Sequence, residues 1–177
     1  MELGLKGKKA IVCASSRGLG RGCAEALAKE GVSVVINGTN KDTVAKTADE
    51  ISNQADADVT TVVANLDQPE GRSALLEACP EPDILVNNNG GPPPGNFRDW
   101  GQAEWDAGLT ANLIAPVELI KATVDGMVDR GFGRIVNITS IAVQMPFPGL
   151  AMSSAARSGL TAFVASVCRE VASKNVT

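Results

Sequence analysis

Residues 8–20 constrain this chain more than any other stretch: Lys-Lys-Ala-Ile-Val-Cys-Ala-Ser-Ser-Arg-Gly-Leu-Gly. A short apolar run at 10–14 breaks into small residues and two glycines, and residues 21–30 carry a helical pattern. The stretch therefore predicts a strand, a tight turn and a helix. Such a turn aims unpaired backbone N–H groups and the positive end of a helix at whatever lies above it, so an anionic phosphate is its natural occupant. Taken alone, Gly18 and Gly20 could equally serve only a tight turn.

The rest of the chain reads as a sheet built beside that unit. Strands are expected at 32–37, 59–64, 83–87 and 133–139, where β-branched and aliphatic residues run together. Helices are expected at 41–54, at 69–78 with Pro69 at its start, at 102–130, and at 150–173. Pro116 is expected to kink or divide the third of these. Residues 88–99, rich in Gly, Pro and Asn, form a long loop, and 145–149, with two prolines, a shorter one. Five alternations of strand and helix without internal repeats predict an α/β fold, a doubly wound parallel sheet in a single domain over 1–177, with ligands gathered at the carboxyl ends of the strands.

Composition narrows the function. Apolar residues make up 44% and aromatics 3%, so the core is aliphatic, as suits buried parallel strands. A net charge of −4 from 16 basic and 20 acidic residues, without a basic run, argues against a nucleic-acid surface. The N-terminal apolar run is too short for a signal peptide and no stretch suits a membrane span, so a soluble cytoplasmic protein is expected. Cys13, Cys23, Cys79 and Cys168 lack a C-x-x-C spacing and the chain has no histidine, so buried reduced thiols are expected and no metal site. Tyrosine is absent as well. Two of the usual proton-transfer side chains are thereby missing at once.

Several further segments fall into place together. Cys13-Ala-Ser-Ser-Arg-Gly-Leu-Gly20 resembles the T-G-x-x-x-G-x-G turn of the short-chain dehydrogenase/reductase family, and Asn87-Asn-Asn-Gly90 resembles its N-N-A-G segment. Asn112 stands where that family keeps a helix asparagine, and Ser140 where it keeps its catalytic serine. The resemblance spans almost the whole chain and is nearest to members of the 3-oxoacyl-[acyl-carrier-protein] reductase kind. It implies a Rossmann-type fold and hydride transfer between a nicotinamide cofactor and a small-molecule carbonyl or alcohol. It also implies cofactor contacts at Ala14, Ser16, Arg17, Gly18, Leu19, Gly20, Thr39, Asn65, Leu66, Asn87, Asn89, Gly90 and Arg157, and a homodimer or homotetramer built on the two long helices.

The departures from the family are equally specific. The family's tyrosine thirteen residues after the serine is Ser153 here, and its lysine four residues later is Arg157. Its first turn glycine is Ala14, and its adenine-side aspartate is Asn65. Family members also continue through more sheet after the last helix, so the resemblance implies that C-terminal strands are absent here and that 134–138 forms an exposed apolar edge. Arg17, together with the lack of a carboxylate in Asn37-Gly-Thr-Asn40, favours NADP over NAD. Ser140, Asn112, Ser153 and Arg157 are the candidate catalytic residues. Asn112 is either a buried asparagine bonded to backbone or, as the family implies, a water holder. Ser153 is a poor acid, whereas Arg157 retains the electrostatic part of the lysine's role. Two functions follow: an oxidoreductase in which Ser140 and Arg157 steady an oxyanion and a water supplies the proton, or a dinucleotide-binding protein without catalysis, acting as sensor or oligomer partner.

Overall fold

The structure, a computed structural model, describes residues 3–177. Five parallel strands lie in the order β3-β2-β1-β4-β5, with β1 at Lys9–Val12, β2 at Ser33–Gly38, β3 at Val59–Val63, β4 at Ile84–Asn87 and β5 at Arg134–Asn137. The helices between them are α1 (Gly18–Lys29), α2 (Lys41–Ser52), α3 (Pro69–Ala78), α4 (Gln102–Leu109), α5 (Ala115–Asp129) and α6 (Ala151–Val171). This is the doubly wound, Rossmann-type sheet that the alternation predicts.

Strand periodicity divides the core into two layers. Ala10 and Val12 of β1 join Val34, Ile36 and the inner faces of α1 and α2, while Ile11 points the other way among Val35, Leu75, Leu85, Leu119 and Ile120. Both faces are covered, so the strands read as apolar runs. The chain lays β2 and β3 on one side of β1 and β4 and β5 on the other, which opens a crevice above the carboxyl ends of β1 and β4. The turn at 13–18 sits there.

The long helix is divided earlier than Pro116 suggests. Residues Thr110–Ile114 form a π-helical turn, closed by Ala115 N–H donating to the Thr110 carbonyl, and Pro116 falls just after it in the first turn of α5. As one continuous helix, Gln102–Asp129 is long and apolar enough for a membrane span, contrary to the sequence reading. Its apolar side, through Ala115, Leu119, Ile120 and Met127, is nevertheless buried within the domain.

The β5 edge is not bare, which corrects the expectation for 134–138. Gly133 pairs with Val176 in parallel, and Ile135 N–H donates to the Thr177 carbonyl at 2.8 Å. Asn175, at φ 61°, turns the chain out of α6, and Arg134 holds it through bonds of 2.8 and 3.0 Å to its carbonyl and side chain. Val136 remains 48% exposed.

Candidate active site

The turn after β1 is held from three sides. Ala14 adopts φ 44°, the left-handed conformation that glycine takes most easily. Its N–H donates to Asn37 Oδ1 at 3.2 Å and its carbonyl accepts from Asn88 Nδ2 at 3.2 Å. Ser15 is buried, with its hydroxyl donating to the Val12 carbonyl at 2.6 Å and accepting from Asn37 N–H at 2.9 Å. Asn37 spends its amide on the carbonyls of Val62 and Ala64, tying β1, β2 and β3 together where they end. At Gly20 a Cβ would stand 2.6 Å from the Ala14 carbonyl oxygen and 2.9 Å from Asn88 Nδ2, so the start of α1 can approach the turn only without a side chain.

Above this turn lies a cleft of about 410 Å³, walled by Ala14, Ser16, Arg17, Gly18, Leu19, Asn37, Gly38, Thr39, Asn88, Asn89 and Gly90. It contains eight of the expected cofactor contacts. Asn65 is not among its walls: it is exposed, and its Oδ1 accepts from Asp67 N–H at 3.0 Å to close a local turn. Leu66 is buried beside a second, smaller space.

That space, about 20 Å³, lies among Leu66, Asn87, Asn89, Asn112, Ile138 and Arg157, among others. It is large enough for one water molecule. Asn112 lies in the π turn, a local distortion common at functional sites. Its Nδ2 donates to the Gly90 carbonyl at 3.2 Å, while its buried Oδ1 has no protein partner. Asn87 Nδ2 donates to Asn137 Oδ1 at 2.9 Å, and Asn87 Oδ1 is likewise buried without a partner. Two unmatched acceptors are thus supplied by side chains that wall the same water-sized space.

Arg157 completes this wall. Its Nε donates to Ser153 Oγ at 3.2 Å and its Nη1 to the Ile138 carbonyl at 2.7 Å. No carboxylate lies within ion-pair distance of it among the described residues, and burial lowers its pKa from the ordinary arginine value. Its Nη2 lies 3.8 Å from where a Cβ on Gly91 would stand. Ser140, two residues beyond Ile138, ends the β5 segment and accepts from Ala142 N–H at 3.2 Å, capping the short turn Ile141–Val143. Asn112 and Arg157 therefore wall one space, Ser153 is bonded to Arg157, and Ser140 lies two residues beyond the Ile138 carbonyl that Arg157 holds. Ser140 and Ser153 line neither space.

Asn89 stands between the cleft and a third cavity of about 260 Å³, walled in part by Asp67, Pro92, Trp100, Gly108 and Met152. Its Nδ2 donates to Asp67 Oδ1 at 2.8 Å and to the Ala111 carbonyl at 3.2 Å. Trp100 and Trp105 meet edge to face at 5.9 Å. Sequence reasoning did not single out Asn37, Asn88, Asn137 or Asp67 as site residues. The signals present were Asn88's place within the segment 87–90 and a polar residue ending an apolar strand run, as at Asn37.

A family model described as short chain dehydrogenase matches residues 8–177. The chain belongs to the short-chain dehydrogenase family. It is 35% identical over 178 residues to the uncharacterized oxidoreductase YvaG of Bacillus subtilis, covering 100% of this chain and 67% of that protein. It is 33% identical to the 3-oxoacyl-[acyl-carrier-protein] reductase FabG of Vibrio cholerae, covering 99% and 72%. Among solved structures, L-sorbose reductase from Gluconobacter frateurii, complexed with NADPH and L-sorbose, superimposes with a TM-score of 0.94 at 28% identity, covering 99% of this chain and 68% of that one. This short-chain dehydrogenase is thus an oxidoreductase of the nicotinamide-dinucleotide type. Its own residues fit such a cofactor: the Gly20 contact, the Asn37-braced turn and the α1 N-terminus together make a cradle for a pyrophosphate.

Proposed function

We propose that this chain is an NADP-linked oxidoreductase acting on a small-molecule carbonyl or alcohol in the cytoplasm, with Ser and Arg in place of the family's Tyr and Lys. The observation that carries this reading is the Arg157 fork, which couples Ser153 to the Ile138 carbonyl and faces the cavity shared with Asn112. The bound dinucleotide supplies or receives the hydride. Ser140 donates a hydrogen bond to the carbonyl oxygen, Arg157 stabilises the negative charge that develops there, and its fork also suits ribose hydroxyls. A water in the space walled by Asn112 and Arg157, donating one hydrogen to an unmatched carboxamide oxygen of Asn112 or Asn87, gives its other proton to the alkoxide, and the hydroxide left beside the Arg157 guanidinium is reprotonated from solvent. Arg17, on the wall of the cleft with Thr39, pairs with the 2′-phosphate that distinguishes NADP. The FabG relatives act on 3-oxoacyl groups by name, so 3-oxoacyl thioesters belong in the substrate panel.

The lack of tyrosine and histidine also supports a second reading, a catalytically inactive dinucleotide-binding protein serving as sensor or oligomer partner. A homodimer or homotetramer accompanies either reading, since α6 exposes the small residues Ala155, Ser158, Ala162 and Ala165 for close helix packing. Fluorescence titration with NADPH and NADH, followed by turnover assays on ketones, 3-oxoacyl thioesters and quinones, separates the readings. Tighter NADPH binding with turnover is expected. Binding without turnover of any carbonyl supports the inactive reading, and equal binding of both cofactors removes the NADP assignment. Arg17→Ala should weaken NADPH about 10-fold or more and leave NADH binding unchanged.

A further inference from the structure

At φ 44° Ala14 carries a steric cost that a glycine in its place would escape. Backbone in that region persists only where its surroundings over-determine it. Both faces of the residue are held in this way: Asn37 Oδ1 accepts from Ala14 N–H and Asn88 Nδ2 donates to the Ala14 carbonyl, each at 3.2 Å. The following peptide is fixed from the same strand, since Ser15 N–H donates to the Asn37 carbonyl at 2.7 Å. One residue further on, Thr47 Oγ1 donates to the Ser16 carbonyl at 2.9 Å, and Ser16 packs on Gly38, where a Cβ would stand 2.8 Å from its Oγ. Asn37 itself is 2% exposed, and its Nδ2 is divided between the carbonyls of Val62 and Ala64 at 3.1 Å each. Only the amide nitrogen can donate to those two acceptors, so the oxygen is the atom turned toward Ala14.

We infer that Asn37 is a positioning residue for the dinucleotide: it holds Ala14 in the left-handed conformation, and the affinity of the turn depends on that bond because an alanine stands where a glycine would take the shape without cost. This rests on the dinucleotide-binding reading above. Ala14 is a wall of the cofactor cleft, and without the Asn37 bond its backbone relaxes toward negative φ, which rotates the peptides of the turn. The backbone N–H groups at the start of α1 then lose their aim at a phosphate. Asn37 and Ala14 are therefore coupled. With glycine at position 14 no strain drives the turn out of shape, and the same asparagine matters much less to the ligand.

A double-mutant cycle on the full chain tests this: the parent, Asn37→Ala, Ala14→Gly and the double variant, each titrated with NADPH and NADH by fluorescence and unfolded in urea. Asn37→Ala also leaves the carbonyls of Val62 and Ala64 without their partner, a loss common to both backgrounds that cancels in the cycle. Asn37→Ala should raise the Kd of the better-bound cofactor at least about 10-fold in the parent and less than about 3-fold in the Ala14→Gly background. Stability should couple in the opposite sense: Ala14→Gly raises the urea midpoint of the parent and does not raise it once Asn37 is replaced, because the strain has already been released. A brace that serves the fold alone would weaken binding equally in both backgrounds. That result, or an unchanged Kd in both, overturns the inference while dinucleotide binding stands. Asn88→Ala, which frees the Ala14 carbonyl instead, should show the same dependence and carries the test if Asn37→Ala fails to fold. A parent that binds neither cofactor overturns the dinucleotide reading and this inference with it.

Discussion

Arg157 Nε donates to Ser153 Oγ across 3.2 Å, one turn apart on α6. The serine hydroxyl is thereby oriented as an acceptor toward the cation, and the two side chains act as one unit. A phenol and an ammonium at the same two positions would instead form an acid tuned by a neighbouring charge.

Ser153→Tyr combined with Arg157→Lys is expected to raise the reduction of simple ketones by about 10²–10⁴ and to introduce a titrating limb into the rate profile. Steady-state rates from pH 6 to 10 on parent and variant decide this. A variant that instead loses the parent's turnover would show that the Ser and Arg pair has chemistry of its own.

Ala14→Gly should stabilise the fold by about 0.5–1 kcal/mol, because glycine relieves the left-handed backbone at φ 44° and returns only part of that gain as chain entropy. Urea unfolding followed by circular dichroism measures it. A lower midpoint would mean that the alanine methyl packs usefully.

Gly20 and Gly22 should respond in opposite directions to alanine. Gly20→Ala places a Cβ 2.6 Å from a backbone carbonyl and is expected to cost about 1–3 kcal/mol and to weaken dinucleotide binding. Gly22→Ala meets nothing within 4 Å on α1 and should be neutral or stabilising by up to about 1 kcal/mol. Equal effects at the two positions would contradict the packing of α1 against the turn.

Burial pushes the Cys13 thiol up to about 12 from 9.0. The folded state then keeps a proton that the unfolded chain loses, so this residue's contribution is intact below about pH 9 and declines as pH rises toward 12. The slope should approach about 1.4 kcal/mol per pH unit in that window. Denaturant midpoints of parent and Cys13→Ala, compared at pH 8 and pH 10.5, should converge as pH rises. A constant difference would place the thiol's ionisation elsewhere.

The fold was legible because strands buried on both faces make apolar runs, and runs alternating with helical spacing leave few topologies. Helix α3 was placed at its observed ends, since Pro69 marks its start. The π turn carries no comparable signal: Thr110 to Ile114 are ordinary helix residues, and Pro116, the visible breaker, lies just beyond it. The motif glycines were legible as a turn, but the network bracing them was not. Asn87 meets Asn137 because β4 and β5 align those two residues in register, and Asn37 reaches Ala14 only once β1 and β2 are paired. Asn65 closes its own turn, and a side chain doing so looks in sequence like one reaching a ligand.

An α-helix advances about 100° per residue, and the wider turn at Thr110–Ile114 takes up one residue more than a regular turn does. The two halves of the long helix are consequently out of phase, so Gly108 can rest against Met152 while Asn112 reaches back to the Gly90 carbonyl. Deleting a single residue there would leave a straighter rod with sturdier backbone bonding and a blind site. Regularity and aim are set against each other within five residues.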